Sequence, residues 1–143
     1  MEITELSILN YIKNSKGEIR QAFELDKDRV RISNIKDLWV SIDDVYPITC
    51  RPEFLKRFGF KETVDILLGR TFWESFIGDK TSPFSNWFRI TVKKNSEYTN
   101  SINRSWSFHA DNSHFESVGS GEFEYIHQLQ NAIKSICGVG LEE

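Results

Sequence analysis

Residues 124–138 read "EYIHQLQNAIKSICG", and the spacing of the apolar positions in this stretch sets the fold class. Tyr125, Ile126, Leu129, Ala132, Ile133, Ile136 and Cys137 fall within one broad stripe of a helical projection, and Gly138 supplies the stop. A stripe of this width is the face that covers a sheet. The chain is therefore expected to be α+β, with antiparallel strands, a short central helix and a C-terminal amphipathic helix packed on a sheet. The other sides of the helix hold His127, Gln128, Gln130, Asn131 and Lys134, where a soluble helix usually carries charge. Amides and imidazole lose less on desolvation than Lys or Glu, and they both donate and accept hydrogen bonds. Two uses fit them. Either they bond to neighbouring loops and fix the helix, the commoner use of such groups, or they form a face that meets a protein partner or a second copy of the chain.

Upstream, the first forty-odd residues read as short strands separated by polar turns. Ile8, Tyr11 and Ile12 precede a turn at "NSKGE", and "IRQAFEL" alternates with one slip in its middle. "DKD" is a second turn, "VRI" a third strand and "LWVSI" a fourth. This spacing predicts an antiparallel meander or a small open barrel. In "TCRPEFLKRFGF" the period changes: Pro52 suits a first helical turn, Glu53 complements the helix dipole, and Phe54, Leu55 and Phe58 share a face. A helix over 51–58 follows, stopped by Gly59, with Phe60 folding back on Leu55. Beyond it, "DILL" and "RTFWESFI" read as strands or one bent strand, "GDKTSPFSN" as a loop, and "WFRITV" as the clearest strand of this half. "KKNSEYTNSINRS" reads as a polar hairpin loop. "WSFHADNSHFESV" reads as two strands around a tight "ADNS" turn, and "GSG" as a turn into the last helix.

A length of 143 residues fits one domain, with possible sub-lobes at 1–60 and 61–143. The net charge of −3 and the scattering of basic residues remove the electrostatic footprint of a phosphate-wrapping protein, so nucleic acid is not an expected partner. Aromatic residues make up 13% of the chain, and rings of this size are expected to build its core. The opening "MEITELSILN" carries acids where an export signal would be basic. No segment approaches the ~18 apolar residues of a membrane span. A cytoplasmic location, no membrane partner and reduced thiols at Cys50 and Cys137 are the expectations.

Four constellations carry possible chemistry. His109, Asp111 and His114 in "HADNSH" form a two-histidine, one-carboxylate set suited to a transition metal, set against a plain polar turn. "SVGSGEFEY" resembles a phosphate cradle at a helix N-terminus, but Glu122 and Glu124 would repel a phosphate there. Cys50 precedes a helix and His127 is a formal base, yet nothing in the sequence places them together. Asp43 and Asp44 need only be solvated. None has the context its reaction requires, so the chain reads as a non-enzymatic binding protein without cofactor.

Three anchors carry a resemblance: "ELSILNYI" near the start, "PITCRPEFLKRFGF" in the middle and "YIHQLQN" followed by "G" and "LEE" at the end. Together, in this order, they resemble a group of small uncharacterised proteins encoded by Bacteroides-type gut bacteria and their phages or mobile elements. The chain departs from that group at Leu9, where the group tends to have Gly, and at Arg51. The resemblance implies an origin and an architecture, and no mechanism. The expectation is a phage or mobile-element protein that acts through a protein partner or self-association. A second reading is sequestration of a small molecule, such as a host nucleotide immune signal, in a pocket built from Trp39, Trp73, Arg70, Arg89 and Arg104. A third is a metal-dependent hydrolase at His109, Asp111 and His114.

Overall fold

The computed structural model describes residues 6–34, 37–78, 87–95, 105–138 and 140–141. Its contacts group into two units, one of Met1–Thr49 with Tyr125–Asn131 and the other of Cys50–Glu124 with Ala132–Glu143. This grouping passes through the last helix, between Asn131 and Ala132.

In the first unit, β1 (Tyr11–Lys13) and β2 (Ile19–Gln21) form an antiparallel hairpin. Asn14 shapes its turn: the side-chain oxygen accepts from the Lys16 and Glu18 amides at 3.0 and 2.9 Å. The stretch "IRQAFEL" is divided between β2 and β3 (Glu24–Asp26), at the slip in its alternation. The Ala22 amide donates to Asn10, and the Phe23 amide donates to Arg31 on β4 (Arg29–Arg31), so the chain passes from one sheet to the next. β4 lies between β3 and β5 (Trp39–Ser41) in an antiparallel three-stranded sheet. Leu6, Ile12, Ala22, Val30, Ile32 and Val45 make the core of this unit. Leu9 stands at φ 74°, the left-handed region that side chains other than glycine disfavour. Backbone bonds hold it there: its amide donates to Ala22, and its carbonyl accepts from the Gln21 and Gln130 side chains.

The second unit is a five-stranded antiparallel meander with two helical segments. α1 (Pro52–Arg57) has the expected proline in its first turn. Its end is a complete Schellman closure, in which Gly59 at φ 84° donates to Lys56 and Phe60 donates to Leu55. The strands β6 (Lys61–Asp65), β7 (Arg70–Ile77), β8 (Phe88–Lys94), β9 (Trp106–Asn112) and β10 (Ser117–Phe123) lie side by side in sequence order. Register places Trp73, Val92 and Phe108 in one row and Ser75, Ile90 and Ala110 in the next, all buried on one face. Lys56 of α1 reaches over the Trp73 ring at 5.8 Å.

The end of the last helix, α2 (Ile126–Cys137), meets this same face. At Gly119 on β10, an added Cβ would lie 2.5 Å from the Ile136 side chain, so the missing side chain is what lets the helix approach. Ile126, Leu129 and Ile133 are fully buried, as the stripe predicts. Gly138 ends the helix with its amide on the Lys134 carbonyl. No helix among the described residues is long and apolar enough to cross a membrane.

The structure corrects three expectations. "GSG" is no turn: Gly119 and Gly121 lie inside β10. The β9–β10 turn falls after "ADN", where the Asn112 side chain accepts from the His114 and Glu116 amides. "DILL" is neither a strand nor part of one beyond Asp65; it is the tip of a hairpin between β6 and β7.

Candidate functional site

The β6–β7 tip exists because Asp65 and Gly69 override an apolar run. The Asp65 carboxylate accepts from the Leu67 and Leu68 amides at 3.0 and 3.3 Å, and its carbonyl accepts from Gly69 at 2.8 Å. Gly69 takes φ 63°, which closes the turn without a Cβ penalty. The consequence is three successive aliphatic side chains held out in water: Ile66, Leu67 and Leu68 are 91%, 95% and 62% exposed. A lone exposed Leu is ordinary, whereas a contiguous cluster is not.

Beside the tip, the second face of the five-stranded sheet carries a concave site of about 550 Å³. Strand alternation builds it. Arg70, Phe72 and Glu74 project from β7 on the parity opposite to buried Trp73, and Arg89, Thr91 and Lys93 do so from β8, opposite to Ile90 and Val92. Asp65 and Leu68 form the end of the site that adjoins the tip. Arg70, Arg89, Lys93 and Lys94 set four cationic side chains in the lining against the carboxylates of Asp65 and Glu74.

The next strand orients one of these cations. Register puts Asp111 of β9 opposite Arg89, and His109 shares its face two residues away. Arg89 Nη2 donates to Asp111 Oδ2 at 2.5 Å, and His109 Nε2 lies 2.7 Å from Asp111 Oδ1. The Arg89 hydrogen bond holds the Asp111 carboxyl below the usual carboxylate range, outweighing the opposing effect of burial. Both oxygens of Asp111 are thus engaged by protein donors. His114 lies in the exposed turn, and no group of three or more metal-suited side chains occurs among the described residues. The set His109, Asp111 and His114 therefore divides into an ion-paired array and a turn residue.

The expected pocket is also divided. Arg70 and Arg89 do line one site, but Trp73 is buried on the opposite face of the sheet. Trp39 belongs to the first unit, where its indole donates to Asp37 at 2.6 Å and Arg29 stacks 4.8 Å from the ring. Arg104 lies outside the described residues. Lys93, Lys94 and Phe72 do not stand out in the sequence, although alternation alone would have put Phe72 on the same parity as Arg70.

The amide-rich side of α2 is turned inward. His127 and Gln130 are only 1% and 5% exposed, and His127 stacks on Tyr125 at 5.9 Å. Gln130 accepts from the Tyr11 amide at 2.8 Å, and Asn131 accepts from the Asn10 side chain at 2.9 Å. Gln128 accepts from the Tyr125 amide at 3.0 Å, one half of a capping box at the helix start. Of the five, Gln128 and Lys134 are exposed. These bonds match the fixing role, and they leave little of this side to meet a partner.

The environment of Cys50 works against a nucleophilic thiol. Burial pushes its thiol up to about 12, the direction opposite to activation, and it also raises Cys137.

No protein-family model matches the chain, and no curated protein and no solved structure matches it either.

Proposed function

We propose that this is a non-enzymatic binding protein that engages a protein partner through the β6–β7 tip. The observation that carries the reading is the triplet Ile66, Leu67 and Leu68, exposed to water on a turn that Asp65 and Gly69 fix in place. Fully burying one such side chain is worth about 1.5–3 kcal/mol, so a pocket that receives two of them supplies a hot spot. The cations beside the tip favour a pocket edged by carboxylates. They also disfavour a two-fold contact between copies at this point, since each Arg70 would meet its own image. Following the resemblance of its three sequence anchors, the setting proposed is the bacterial cytosol and the origin a phage or mobile element.

The test uses Leu67→Asp. A partner recovered with the wild-type protein is purified and its affinity measured for both forms, alongside sedimentation of each form alone. The expected result is a monomer whose affinity for the partner falls ten- to a hundredfold on substitution, with unfolding unchanged. An unchanged affinity, or a dimer that Leu67→Asp dissociates, would overturn the partner reading.

A further inference from the structure

The concave site of about 550 Å³ adjoins the hairpin tip, and strand register sets the order of charges along it. We infer that it receives an extended segment of the partner whose alternate residues are acidic, basic and acidic. The inference rests on the tip reading above and names the chemistry that lies beside it.

Three rows of side chains lead there. Trp73 pairs with Val92, so Phe72 and Lys93, one position further along, share the first row. Glu74 stands opposite Thr91 in the second, and Arg89 opposite Phe76 in the third. Each row lies two residues from the last, about 7 Å along the strands, so the face presents plus, minus and plus at that interval. Arg70 lies one row before the first, where register sets it opposite Asp65, and the two opposite charges leave that end near neutral. The interval of the rows is also that of any extended chain, in which residues i, i+2 and i+4 line one face. A compact anion would meet Glu74 between the cations. An extended segment instead sets a base against Glu74 and an acid on either side of it.

Two of the three charges are uncommitted: the side chains of Lys93 and Glu74 have no hydrogen bond or ion pair among the described residues. Arg89 is partly balanced already by Asp111, although its side chain stays 36% exposed, so it contributes less than the other two. Thr91 and Phe72 lie between the charges, and Leu68 continues the apolar wall to the tip, so one segment can run from the concave site to the exposed triplet. Rows of opposite sign favour one order of charges and penalise its reverse, which gives selectivity more than strength.

The probe is a fluorescent heptapeptide, acetyl-Thr-Glu-Thr-Lys-Thr-Glu-Thr-amide, whose order of charges reads the same from either end. Its control is the isomer Thr-Glu-Glu-Thr-Thr-Lys-Thr, equal in composition and charge. Anisotropy with the full chain at low salt should show the alternating peptide binding at least about fivefold more tightly than the isomer, and weakening as salt rises. Lys93→Glu should turn the choice toward Thr-Lys-Thr-Lys-Thr-Glu-Thr, and Glu74→Lys toward the peptide with glutamate in place of the lysine. Arg89→Gln should weaken the original peptide about twofold. Should Glu74→Lys fail to fold, Lys93→Glu decides the matter, since Lys93 is exposed near a strand end. Leu67→Asp should leave peptide binding unchanged, because the probe has no apolar residue for the tip. The inference is overturned if the two isomers bind alike, if the charge-reversed variants keep the wild-type preference, or if neither peptide binds at millimolar concentration. A partner that loses affinity on Leu67→Asp while the isomers bind alike leaves the tip reading standing and removes this one.

Discussion

Helix α2 and the β6–β7 tip invert each other. On α2, polar side chains are buried: Gln130 and His127 lie inside, with Gln130 bonded to the backbone of Tyr11 and Leu9. At the tip, apolar side chains are exposed on a turn that a single Asp holds. Each is the informative exception to ordinary burial, and they teach opposite lessons. A buried amide with its bonds made is an internal fastening, whereas an exposed aliphatic cluster has its partner still to come. The contrast moves the proposed contact role from α2, where the sequence suggests it, to the tip.

The contrast is sharpest in stability. Gln130→Ala removes the acceptor for the Tyr11 amide and should cost about 2–3 kcal/mol in urea unfolding, with the slope unchanged. A loss near zero would free α2 for the contact role. The ion-paired array on the sheet comes next. Asp111→Asn should cost about 1–2 kcal/mol at neutral pH, a figure reduced because Arg89 is partly exposed. The sign of its pH dependence is fixed: the folded carboxyl titrates below its unfolded value, so it stabilises above about pH 4. The gap between wild type and variant should therefore close as pH falls further, as read from unfolding midpoints at several pH values.

Smaller still is the effect at Leu9. Its φ of 74° strains a leucine and suits a glycine. Leu9→Gly should stabilise the chain by about 0.5–1 kcal/mol, less than the full strain because glycine is more flexible when unfolded. A loss in the same unfolding assay would contradict this. Smallest of all is the tip, where Ile66→Ser with Leu67→Ser should shift stability by less than about 0.5 kcal/mol. A larger shift would mean that the tip serves folding rather than recognition.

Local rules made much of this legible. α1 and α2 carry their own stops and periods, so Gly59, Phe60 and Gly138 do what their positions imply. β8 alternates cleanly and reads directly. What failed needed distant partners. Gly119 and Gly121 look like a turn, yet β10 needs them small because Ile136 and Phe108 lie against them. "DILL" looks like a strand by composition, and only the bonds from Asp65 with the φ of Gly69 reveal a tip. The spacing of that Asp and Gly between two alternating runs was the missed signal, and it hid both the tip and β6. Arg70 and Arg89 were legible as candidates. That they share a face with Lys93 and Phe72 depends on strand register, which a single chain of letters does not give.

Photo-crosslinking in the producing cells puts the inversion itself to the test. A photoreactive residue is placed at Leu67 in one variant and at Lys134, the exposed cation of α2, in another, and the adducts are compared by mass. The expectation is one defined protein adduct through position 67 and none through position 134. The reverse pattern would return the contact face to α2 and contradict recognition through the tip.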